Sequence, residues 1–277
     1  MAEIPYRIQR QINRYEIVDF ENLRLYPVRV ENYDEFLAAR PAIAFVQQSL
    51  PVALMSMPLL QAYYQIDVES IQDAQLPTGL FAQALLFLAM SLRIGEDMTR
   101  EKRVGLFKLC RDPKRPDRLK FIEFTDLDGE QQQITPSQFQ RLRPILAVQN
   151  GIELADDDAN PELLAADELI ASKKAPELET TVESLVSSVS ALSGVEEAEV
   201  YDWPILKLQR RERALKRAMD YIICGIGESQ GAKWKSGNPV PHPWFSRLRN
   251  DMGALVSLDD FAGGAAKNYV TQEAKTN

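Results

Sequence analysis

The sequence predicts an α+β protein, mostly helical, with a small antiparallel sheet in the N-terminal half and a helical C-terminal half. Three observations carry this expectation. Apolar residues change to a period of two between 104 and 135, where VGLFKLC, RLKFIEFTD and EQQQIT read as three short strands. Before that stretch, LFAQALLFLAMSL at 80 to 92 is apolar on all sides, as a buried helix would be. After it, VESLVSSVSALSG and the run from Trp203 to Cys224 repeat apolar residues at helical spacing, with little strand signal between them.

Taken in order, YEIVDFENLRLYPVRV at 15 to 30 alternates like a strand until Pro27 interrupts it. Asn32 and Glu35 have capping-box spacing, which predicts a short helix ending at Pro41. Leu50, Leu54, Met57, Leu60 and Tyr64 recur at helical spacing, split in two by Pro51 and Pro58, with Ser56 as the cap of the second piece. The apolar helix is expected from Thr78 to Gly95. The strand connections carry turn chemistry, Asp112-Pro113 and the hairpin dipeptide Asp128-Gly129. Thr135, Pro136 and Gln138 then suit the N-cap, N1 and N3 positions of a helix that stops at Asn150-Gly151. Thr180 with Glu183 opens another helix, closed by Gly194. Asp202 is the expected cap of a last long helix reaching Cys224, and the residues after Gly225 read as loop followed by one short helix.

The implied organisation is a mixed α+β domain over 1–151, an acidic linker or hinge over 152–180, and a helical domain over 181–277 with an aromatic, proline-rich arm. Residues 153 to 202 hold fourteen acids and two lysines, so this region should be well solvated. The net charge of −8 and pI near 5.0 argue against a general nucleic-acid coat. Two distant cysteines, Cys110 and Cys224, do not make a disulfide framework. The first 20 residues do not read as a signal peptide, and the longest apolar run is shorter than a bilayer span, so neither export nor a membrane is expected.

Recognisable chemistry is sparse. The single histidine, His242, sits between two prolines with no nucleophile elbow nearby. Two cysteines and one histidine do not suit tetrahedral zinc. Asp156, Asp157 and Asp158 lack the alternating spacing of a calcium loop. GIGESQG at 225 to 231 is one residue too long for a dinucleotide fingerprint and follows a helix rather than a strand. No cofactor, metal or catalytic residue is therefore expected, although carboxylate-only catalysis stays open as an alternative class.

The more informative stretch is YDWPILKLQRRERALKR, 201 to 217, with six cations and one acid between Lys207 and Arg217. Ile205, Leu208, Leu215, Met219 and Ile222 form one stripe of this helix, and Lys207, Arg210, Arg211, Arg213 and Arg217 lie opposite. Such a helix buries its stripe and turns its cations to solvent or to an acidic protein surface. All three tryptophans lie at or beyond 203, and KWKSGNPVPHPWF reads as a stiff aromatic arm. Trp203, Arg210, Arg211, Arg217, Trp234, Trp244 and Phe245 are thus the candidate protein-contact residues, because Trp and Arg dominate binding energy at interfaces. Core packing is the alternative role for the aromatics.

Two blocks carry a family resemblance: ITPSQFQRLRPILAVQNGIEL, 134 to 154, and the stretch from VESLVSSVSALSG to NPVPHPW, 182 to 244. In the first, Thr135, Phe139, Leu142, Arg143, Gln149 and Asn150 carry the likeness. Together the blocks resemble tail assembly chaperones of tailed bacteriophages and prophages. The resemblance implies a non-enzymatic protein that binds the tape measure protein during tail assembly, in the cytoplasm of the bacterial host, without cofactor, and with homo-oligomers open. A structural component of the tail or baseplate, located in the virion, is the competing expectation.

Overall fold

The computed structural model describes residues 4–67, 79–154 and 181–231, together with the backbone of 248–249 and 255–256. Its contacts divide the chain into two compact units, Met1–Gln209 and Arg210–Asn277. The architecture is α+β: helices predominate, two small antiparallel sheets lie in the N-terminal half, and helices follow towards the C-terminus.

The first unit opens with α1, Tyr6–Asn13, which buries Ile8 and Ile12. A hairpin follows, β1 Val18–Phe20 and β2 Leu23–Leu25, with Val18 opposite Leu25 and Phe20 opposite Leu23. Its tight turn holds Glu21 at φ 55°. Helix α2, Tyr33–Ala44, buries Phe36, Ala39, Ala42 and Ile43. It continues past Pro41, where a stop was expected. The reason is that the ring removes only one helical hydrogen bond near the end, while the buried Ala42 and Ile43 hold the last turn down. The expected Asn32–Glu35 capping box does not form either. Asn32 makes no side-chain cap, and its Oδ1 instead accepts from the buried Arg103 at 3.1 Å.

Helices α3, Val52–Met55, and α4, Leu59–Asp67, are the two pieces expected on either side of Pro58, but Ser56 is the C-cap of α3 rather than the cap of α4, which starts after Pro58. Helix α5, Leu80–Ser91, is buried along nearly its whole length and packs on α2, with Phe36 and Phe87 ring centroids 6.0 Å apart. Each aromatic buried here contributes about 1.5–3 kcal/mol. The start of α5 is capped from a distance: the Asp67 carboxylate accepts from the Gly79 and Phe81 N–H groups at 2.8 and 2.6 Å. Thr78, the expected start, lies outside the described residues.

Helix α6, Arg100–Gly105, occupies the beginning of the stretch read as the first strand. The three-stranded sheet itself is β3 Lys108–Asp112, β4 Arg115–Thr125 and β5 Gln131–Ile134, in that order and antiparallel. The Asp128-Gly129 turn forms with Gly129 at φ 82°. Leu119, Ile122, Phe124 and Ile134 are buried. Gln61 of α4 ties the sheet to the helices, accepting from Leu119 N–H at 2.9 Å and donating to the Asp117 carbonyl at 3.3 Å.

Helix α7, Pro136–Gln149, begins as the sequence predicts: Thr135 Oγ1 accepts from Gln138 N–H at 3.1 Å, and Pro136 stands in the first turn. Its buried residues reach into three neighbouring segments. Arg143 donates to the Ile43 and Phe45 carbonyls at 2.7 and 2.5 Å. Gln149 Nε2 donates to Leu25 O at 3.0 Å, and Asn150 Oδ1 accepts from Val28 N–H at 2.8 Å. These two contacts fix the chain as it leaves β2. Gly151, the stop residue, has φ 68°, and a Cβ there would lie 1.9 Å from Gln209 Oε1. Gln209 can swing away, but the backbone cannot. Gly151→Ala is expected to lower stability by about 1–2 kcal/mol, read as a fall in the urea midpoint with an unchanged slope.

Helix α8, Val182–Ser193, is capped by Thr181 rather than Thr180 and closes at Gly194 with φ 67°. A short helix missed in the sequence, α9 Glu197–Tyr201, follows and packs on α8. Asp202 is its C-cap rather than the cap of the long helix. That helix, α10, spans Ile205–Ser229 and passes through Gly225 and Gly227. The glycine at its end is Gly231, at φ 95°. Each interior glycine costs about 1 kcal/mol relative to alanine, which an already propagating helix of 25 residues can absorb.

The unit boundary falls inside α10 rather than at 152–180. Helices α8 and α9 and the first turn of α10 belong with the N-terminal elements. Most of the expected linker, 155–180, including the triple aspartate, lies outside the described residues. The expected final helix lies there too, apart from two short paired strands, β6 Leu248–Arg249 and β7 Leu255–Val256.

Candidate protein-interaction surface

Helix α10 changes character along its length. Its entry is bound into the first unit by backbone pairing: Val30 N–H donates to Trp203 O and Ile205 N–H to Val28 O, both at 2.9 Å. Ile205, Leu206 and Leu208 are buried. Trp203 belongs to this core, at 4% exposure. Its Nε1 donates to Glu199 at 3.3 Å, and the Lys207 ammonium stands 3.8 Å from the ring centroid. In this fold the indole presents almost no surface to a partner, which corrects its placement among the contact residues. The signal was available, since Trp203 is followed by Pro204 and Ile205 at the mouth of an amphipathic helix.

From Arg210 onward the helix belongs to the second unit. Arg211 and Arg213 are exposed, and Arg210 and Arg217 are half-buried. Beyond them Met219, Ile222, Ile223 and Ile226 are exposed by 42, 52, 60 and 51%. With the half-buried Leu215 they form a continuous apolar seam at spacings of four, three and four residues, widened by Ile223. Sequence reading placed Leu215, Met219 and Ile222 on one stripe. Ile223 lies beside that stripe rather than on it, and Ile226 lies beyond the helix end expected at Cys224. Their i+4 and i+7 spacing from Met219 was the available signal. Trp234, Trp244 and Phe245 lie outside the described residues.

Other places in the described residues offer less. A pocket between the β1–β2 and β4–β5 hairpins is lined by Arg24, Tyr26, Asp126, Asp128 and Glu130, among others. The Asp126 carboxylate there is occupied as a turn acceptor. The Glu130 N–H, then the Gln132 amide and the Asp128 N–H, hold it below the usual carboxylate range. Among the described residues no group of three or more His, Cys, Asp or Glu side chains could hold a metal ion. Cys110 and Cys224 are free and half-buried. No described helix is long and apolar enough to cross a membrane. His242 and Asp156–158 fall outside the described residues.

Compared with known protein families, curated proteins and solved structures, the chain matches none.

Proposed function

We propose that this chain is a non-enzymatic tail assembly protein that holds an apolar helical segment of a tape measure protein on the outer half of α10. The observation that carries the reading is the seam of Met219, Ile222, Ile223 and Ile226, left exposed beside a cationic block on an otherwise acidic chain. Exposed aliphatic side chains that adjoin along a helix suit a helix-in-groove or helix-on-helix contact. The net charge of −8 keeps such a carrier soluble by mutual repulsion while a sticky client is bound. The resemblance of residues 134–154 and 182–244 to tail assembly chaperones supplies the client. The proposed setting is the cytoplasm of the infected or lysogenic host.

The test is co-expression with a tape measure protein of a tailed bacteriophage. Ile222→Glu combined with Ile226→Glu is expected to reduce recovery of soluble client by at least tenfold, about 1.4 kcal/mol or more. The helicity of this chain should be unchanged, since both positions are exposed. Full client recovery by the variant would end the reading. Mass spectrometry of purified particles separates a chaperone from a tail component, because only the latter is retained at fixed stoichiometry.

A further inference from the structure

We draw no further inference here: the strongest candidate, the cavity beside the start of α7 and strand β4 lined by Ser56, Arg118, Lys120, Thr135 and Ser137, rests on a helix N-terminus and exposed cations with no second observation that points to a ligand.

Discussion

Replacing Arg143 by alanine is expected to destabilise the first unit by about 3–4 kcal/mol, a large part of the stability of an ordinary domain. Helix α2 ends at Ala44, so its last carbonyls have no helical partners. The fold satisfies them with side chains from other helices. Tyr63 OH donates to Ala42 O at 2.8 Å, and the Arg143 guanidinium spans the Ile43 and Phe45 carbonyls. Burial holds the Tyr63 hydroxyl well above the usual phenol range, so it stays a donor at any ordinary pH. Alanine at 143 would leave two carbonyls without a donor in a region only 5% exposed at the arginine itself. Arg143→Lys should rescue little, because a single ammonium cannot reproduce the planar fork. The measurement is the urea midpoint followed by circular dichroism. A shift corresponding to less than about 1 kcal/mol, the worth of one ordinary hydrogen bond, would refute this account.

Trp203→Ala is expected to cost about 3–5 kcal/mol of stability, the range for emptying a buried aromatic site. The indole is 4% exposed, hydrogen-bonded to Glu199 and covered by Lys207. It also sits where the entry of α10 pairs with Val28 and Val30. Its loss should therefore loosen that entry and lower the melting temperature, with client recovery falling as a result of unfolding. An unchanged melting temperature with weakened client recovery would show the opposite, that the indole works as a contact residue. Trp203→Phe, which keeps much of the packing, should recover most of the stability.

What could be read from the residues alone was whatever a few neighbouring residues decide. Thr135-Pro136-Gln138 sets a helix start, Asp128-Gly129 a hairpin, and Asn150-Gly151 a stop, because each acts through backbone geometry within four residues. What escaped was decided at long range. Asn32 is claimed by Arg103, 71 residues away, and so does not cap α2. Helix α2 passes Pro41 because its last turn is buried. Five-residue α9 is too short for its periodicity to register. At the candidate surface the cationic block was legible from composition. The apolar seam was only half legible, because Gly225 signals a helix end locally although the helix continues to Ser229. The burial of Trp203 depends on strand-like pairing with residues more than 170 positions earlier, which no local pattern encodes.

The Asp67 cap bears on engineering. One carboxylate holds the start of α5 to the end of α4 through two N–H groups. Any scheme that cuts or shuffles the chain to isolate part of the first unit must therefore keep Asp67 together with Gly79 and Phe81, since separating them strips two donors at a helix start of their acceptor.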